Sequence, residues 1–153
     1  MHNVLRESER RIAKIASEKM NYRVIEIKTK DAEEMGALSF CEPSKEVGFD
    51  IKRFYYIYGA PKGTQRGGHA HKELKQVLYC PYGKIRIILD DGINKEEVLL
   101  DSPCKGLVIE PVLWREMVWE EDNSVLCVEA SMYYGEEDYI REYEDFLRYV
   151  KNR

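Results

Sequence analysis

The segment Gly63-Thr-Gln-Arg66-Gly67-Gly68-His69-Ala-His71-Lys72-Glu-Leu-Lys-Gln76 holds two of the chain's three histidines, one residue apart. Along a strand, residues i and i+2 point to the same side, so His69 and His71 share one cavity if that strand lines a barrel. Imidazole, with an ordinary pKa of about 6.5, is the side chain best matched to taking and returning a proton near neutral pH. Two of them facing one pocket suit proton relocation between neighbouring carbons. The competing structural reading is a pair of satisfied histidines, hydrogen-bonded to carbonyls and to Gln76. The Gly-rich turn before the pair, and Arg66 and Lys72 beside it, favour the chemical reading. Gly67 and Gly68 shape the turn and also let a bulky ligand approach the backbone.

Arg53, Arg66, Lys72 and Arg115 are the cations nearest this segment in sequence or expected strand neighbourhood. A guanidinium grips phosphate oxygens in a fork, so two of them would suit a diphosphate; taken singly, each also reads as a solvated surface charge. In Phe54-Tyr55-Tyr56, alternation puts Tyr55 on the face opposite its neighbours. A phenol turned inward would donate a hydrogen bond to a developing enolate oxygen, and a core tyrosine is the plain alternative.

The elements that must position these groups are mainly β. Short runs rich in Val, Ile and Tyr extend from Tyr22 to about Ser131, broken by Gly, Pro and Asp-Gly signals. They predict strands at 22–28, 37–41, 52–58, 76–80, 84–90, 96–100, 106–110, 114–119 and 125–131, as a β-sandwich or barrel. Asp91-Gly92 marks a hairpin turn between two of them. Residues 4 to 20 place Leu5, Ile12, Ile15 and Ala16 on one helical face, which predicts an N-terminal helical arm over 1–21 ahead of a single domain at 22–153. In the tail, Tyr139, Ile140, Tyr143, Phe146, Leu147 and Val150 form one apolar stripe, with Glu136, Glu137 and Asp138 in the expected first turn. That pattern predicts a C-terminal helix.

A chain of 153 residues with 44% hydrophobic content fits one domain with a real core. A net charge of -4 argues against a protein whose main task is neutralising nucleic-acid phosphates. Cys41, Cys80, Cys104 and Cys127 stand singly, without the close pairs of structural zinc or dithiol chemistry, and read as thiols in a reducing compartment. No stretch approaches the roughly 20 apolar residues of a membrane helix, and the N-terminus is heavily charged, so a cytoplasmic location is expected.

The spacing Gly-x5-His-x-His-x4-Gln-x6-Gly, ending at Gly83, resembles the first motif of the cupins, in which two His and a Glu bind a divalent metal. Here Gln76 occupies the carboxylate position and is a poor ligand for a transition metal. Around Trp114-Arg115-Glu116-Met117 no histidine answers the second cupin motif, and His2 lies in the N-terminal arm. No metal and no other cofactor are therefore expected, with Glu116 or Glu129 the only candidates for a further oxygen ligand.

From about Phe49 to Tyr149 the chain resembles the TDP-4-keto-6-deoxyglucose 3,4-ketoisomerases, sugar-nucleotide enzymes with a cupin jelly-roll barrel. The stretches that carry this are FDIKRFYYIYG, RGGHAHKELKQVLYCPYGKIRIILDDG, LLDSPCKGLVIEPVLWREM and ASMYYGEEDYIREYEDFL. The resemblance implies a homodimer, a TDP-linked 4-keto-6-deoxysugar as substrate, no metal, and a product destined for amination to a 3-amino-3,6-dideoxysugar. It puts the active-site histidines on His69 and His71, a family Arg on Arg66 and the strand tyrosine on Tyr55. His71 is expected as the base at C3, with His69 and Tyr55 serving the oxygens. Arg53, Lys72, Gln76, Trp114 and Arg115 complete the expected binding set. Many members read Trp-His-Glu-Met where this chain has Arg115, and a fixed cation in place of a possible acid inclines the expectation to the gluco product over the galacto. A 3,5-epimerase on the same substrate, a non-catalytic sugar-nucleotide-binding module and a metal-dependent oxygenase are the alternatives.

Overall fold

The computed structural model describes residues 19–153. Its strands are β1 (Tyr22–Glu26), β2 (Lys28–Asp31), β3 (Ala37–Phe40), β4 (Arg53–Ile57), β5 (Gln65–His71), β6 (Gln76–Tyr82), β7 (Ile85–Asp90), β8 (Lys95–Leu100), β9 (Lys105–Ile109), β10 (Trp114–Trp119), β11 (Val125–Ala130) and β12 (Tyr139–Ile140). Among the described residues two α-helices join them, α1 (Pro43–Glu46) and α2 (Tyr143–Lys151). The first sheet runs β1-β9-β6-β11-β4 and the second β12-β5-β10-β7-β8, all neighbours antiparallel. Leu78, Leu107 and Val128 of the first sheet meet Ile87, Leu100 and Trp119 of the second in one buried core. The alternation along each strand sends these side chains inward and polar neighbours outward, as a closed sandwich requires. This is the jelly-roll barrel expected of a cupin, and β2 and β3 form a separate hairpin beside it.

All nine sequence-expected strands are present, within a few residues at their ends. The turn at Asp91-Gly92 joins β7 to β8; Gly92 has φ +92°, and the Asp90 and Asp91 carboxylates accept backbone N–H groups within the turn. The expected helix over residues 4 to 20 lies outside the described residues, apart from Lys19 and Met20, which have no regular structure.

The C-terminal region departs from its apolar pattern. The helix begins only at Tyr143, Glu136–Asp138 form a single 3-10 turn, and Tyr139–Ile140 pair with β5. The free edge of β5 offers unpaired N–H and C=O groups, and closing that edge outweighs extending the helix by one turn. Helix α2 then packs on the outside of the second sheet. Phe146, fully buried against Trp114 and Ala70, anchors it, a burial that contributes about 2–3 kcal/mol.

Candidate active site

A cavity of about 410 Å³ opens between the two sheets. From the first sheet, β4 contributes Arg53, Tyr55 and Ile57; from the second, β5 contributes Arg66, Gly67 and His69, and β10 contributes Met117. Tyr139 of β12 and Arg141 just beyond it close one side. The volume lies in the range of small-molecule sites and accommodates a hexose.

Local backbone geometry aims the histidines. Gly67 and Gly68 have φ +85° and +71°, and the pairing of β5 with β10 slips between Arg115↔His69 and Glu116↔Gly67, leaving Gly68 as an extra residue. A Cβ on Gly67 would stand 2.7 Å from the Arg115 carbonyl oxygen, so only glycine admits this close approach of β10. Beyond the bulge, regular alternation sends His69 and His71 to one side, with ring centroids 5.0 Å apart in an edge-to-face arrangement. Tyr139 packs on both rings, at 5.1 Å and 4.3 Å.

The two histidines nevertheless differ. His69 lines the cavity, whereas His71 is fully buried behind it. Burial, aided by the nearby Arg115 guanidinium, pushes the His69 pKa down to about 4, against an opposing hydrogen bond to the Gly67 backbone. His69 is thus neutral at physiological pH and faces the cavity as a ring able to accept a proton. His71 Nδ1 lies 2.9 Å from Asp138 Oδ2, while Asp138 Oδ1 accepts the Glu73 backbone N–H at 2.8 Å. The carboxylate favours a charged ring and burial beside Arg115 disfavours it; the net direction is down, so the resting form is a neutral imidazole protonated on Nδ1. Its Nε2 has no hydrogen-bond partner among the described residues.

Behind the Tyr55 wall, Arg115 Nη1 donates to Gln76 Oε1 at 3.2 Å, and Gln76 Nε2 donates to the Tyr55 hydroxyl at 3.3 Å. Arg115 and Gln76 are both buried, and burial raises the Tyr55 pKa. The Arg53 guanidinium sits 5.5 Å from the rings of Tyr55 and Tyr134. Arg141 lies over Tyr139 at 4.2 Å and pairs with Glu136.

Of the residues expected from sequence, Arg53, Tyr55, Arg66 and His69 line the cavity, and His71, Gln76 and Arg115 stand directly behind its walls. Two lie elsewhere. Lys72 donates to the Glu137 carbonyl, and Trp114 packs on Tyr143 and Phe146 under helix α2. The candidate carboxylates also point away: Glu116 bonds Gln65 and Trp114, and Glu129 bonds Tyr79. Among the described residues no group of three or more His, Cys, Asp and Glu could hold a metal ion. Asp138, Tyr139 and Arg141 are the site residues that the sequence pattern concealed, because a two-residue strand is too short to show a period and its apolar pair fits the helical stripe that follows.

The family model described as "FdtA: WxcM-like, C-terminal" matches residues 20–151. The chain is 45% identical over 131 residues to the TDP-4-oxo-6-deoxy-alpha-D-glucose-3,4-oxoisomerase of Aneurinibacillus thermoaerophilus, covering 86% of this chain and 94% of the relative. A 3,4-ketoisomerase from Helicobacter canadensis superposes with TM-score 0.83 at 42% identity, over 87% of this chain and 99% of that one. The sugar 3,4-ketoisomerase QdtA of Thermoanaerobacterium thermosaccharolyticum, solved in complex with TDP, gives TM-score 0.82 at 41% identity, over 87% of this chain and 96% of its own. Agreement in sequence, fold and length places the chain in the FdtA/WxcM-like family of sugar 3,4-ketoisomerases.

Proposed function

We propose that this protein converts TDP-4-keto-6-deoxyglucose to the TDP-3-keto-6-deoxy sugar of gluco configuration, supplying a ketone for amination to a 3-amino-3,6-dideoxysugar. The observation that carries the reading is the placement of His69 on β5 and Tyr55 on β4, on facing walls of one hexose-sized cavity. The TDP bound by QdtA and the substrate named for the Aneurinibacillus relative support the ligand class.

The 4-keto group acidifies the hydrogen on C3. His69, neutral and facing the cavity, removes that proton, and the electron pair spreads over C3, C4 and the C4 oxygen as an enediolate. A proton passes from the C3 hydroxyl to the adjacent oxygen, and Tyr55 protonates C4, leaving a carbonyl at C3. Solvent returns the tyrosine proton and takes the histidine proton, so the reaction balances as an isomerisation. The hydrogen removed from C3 of the substrate and the one delivered to C4 of a gluco product lie on opposite ring faces, so base and acid must act from opposite sides, which side chains on facing walls of the cavity can do. The base role therefore passes from the expected His71 to His69, the ring with access to the cavity. His71 supports it from behind. Arg66 and Arg53 suit the diphosphate, and Arg115, too deep for phosphate, supplies a fixed positive field toward the enediolate.

The chemistry needs no metal in this reading, since the Gln76 oxygen is committed to Arg115 and a buried cation beside it repels a second one. A homodimer is supported by the exposed ridge of Phe54 and Tyr56 on edge strand β4 and Tyr58 just past its end, and a monomeric mass in light scattering would remove it. A nucleotide-sugar substrate fits a cytoplasmic enzyme. No helix among the described residues is long and apolar enough to cross a membrane. The test is incubation with TDP-4-keto-6-deoxyglucose in deuterated water followed by NMR. Deuterium at C4 of a gluco 3-keto product is expected. Label at C5 indicates an epimerase, bound TDP-sugar without product a binding module, and activity abolished by chelation a metal enzyme.

A further inference from the structure

The direction of each hydrogen bond in the chain Arg115, Gln76, Tyr55 is set by chemistry alone. A guanidinium has only donors, so the Gln76 group facing Arg115 Nη1 must be the carbonyl oxygen. The amide nitrogen must then face Tyr55, and since it has only protons to offer, the phenol oxygen is the acceptor. A phenol has one proton. With its oxygen receiving from behind, that proton is free to turn forward, into the cavity that Tyr55 lines.

We infer that Gln76 is a positioning residue for proton delivery: Arg115 locks its amide, and the amide turns the Tyr55 hydroxyl toward the substrate carbon it protonates. The same contact holds the phenolate that remains after transfer, with Arg115 and Arg53 as nearby cations. Gln76 stands where the resembling metal-binding motif carries a carboxylate, and a carboxylate would have the opposite effect. It would accept from Arg115 and from Tyr55 alike, drawing the phenolic proton backward. The amide at this position is therefore an element of catalysis and not merely the loss of a ligand. The inference rests on Tyr55 as the C4 proton donor.

The discriminating experiment compares two half-reactions in deuterated water, with a chelator present so that no metal settles on the carboxylate that Gln76→Glu introduces. Exchange at C3 of recovered substrate reports His69, and deuterium at C4 of product reports Tyr55. In Gln76→Glu, product formation is expected to fall about 100-fold, the worth of a positioned general acid, and C3 exchange by clearly less, about tenfold, because the new carboxylate also offsets the Arg115 charge that faces the enediolate. Gln76→Met keeps the shape and removes the donor; it is expected to lose about tenfold in product with C3 exchange retained, and it carries the test if the Glu variant fails to bind TDP. Product formation within about twofold of wild type in either folded variant overturns the inference, as does C3 exchange that falls in step with product. Failure of the wild-type enzyme to place deuterium at C4 instead overturns the proposed reaction.

Discussion

Replacing Asp138 by Asn isolates one link of the site, because the substitution changes hydrogen-bond direction at almost constant shape. The carboxylate accepts twice, from the Glu73 backbone N–H at 2.8 Å and from His71 Nδ1 at 2.9 Å. An amide has one acceptor and one donor end, and cannot do both. If its oxygen keeps the Glu73 N–H, its NH2 faces Nδ1 and drives His71 into the Nε2-protonated form. If its oxygen keeps His71, the backbone N–H meets a donor. Asp138 is buried, so the first arrangement leaves the new His71 Nε2–H without an acceptor and the second sets two donors against each other, either at a cost of about 1–3 kcal/mol. For a domain of this size that lowers Tm by roughly 2–12 °C. The backbone bond cannot rotate away, so the first arrangement is expected, and 15N-edited NMR of labelled histidine should show the His71 proton moving from Nδ1 to Nε2. Because His71 supports His69 from behind, turnover should fall by about tenfold or more. An unchanged Nδ1-protonated His71, with Tm within a degree of wild type, would refute the assignment of Asp138 as the residue that sets the tautomer.

Two further outcomes follow from burial and backbone geometry. The folded pKa of His69, about 4, lies below the unfolded value near 6.5, so its contribution is full above pH 6.5 and is lost as pH falls toward 4. Between pH 7 and pH 5 wild type should lose about 2 kcal/mol more stability than His69→Asn in urea unfolding, and parallel curves would contradict the buried neutral ring. In Gly67→Ala the new methyl meets the Arg115 carbonyl at 2.7 Å in a positive-φ conformation, so the bulge must move. Stability should drop by about 2–4 kcal/mol and C3 exchange should weaken with it, whereas wild-type behaviour in both would show that β10 yields without disturbing His69.

Much of this molecule could be read from residue order. The period-two runs located nine strands because each buries one face, and burial leaves its mark on every second residue. The His-x-His spacing put two imidazoles on one side, and Phe54-Tyr55-Tyr56 put the middle ring inward, for the same reason of alternation. The charge of Arg115 and the missing carboxylate at Gln76 were equally visible. Tertiary structure alone decided which histidine meets the cavity, since that depends on what packs behind each ring. It moved Lys72 and Trp114 away from the site and brought Asp138 and Tyr139 into it, 67 residues beyond His71 in the case of Asp138. A two-residue strand has no period to read, and its pairing energy comes from the open edge of β5, a partner assembled only when the barrel closes. The direction of the Arg115, Gln76 and Tyr55 chain is likewise a property of three strands meeting, fixed by donors and acceptors that have no partners until they do.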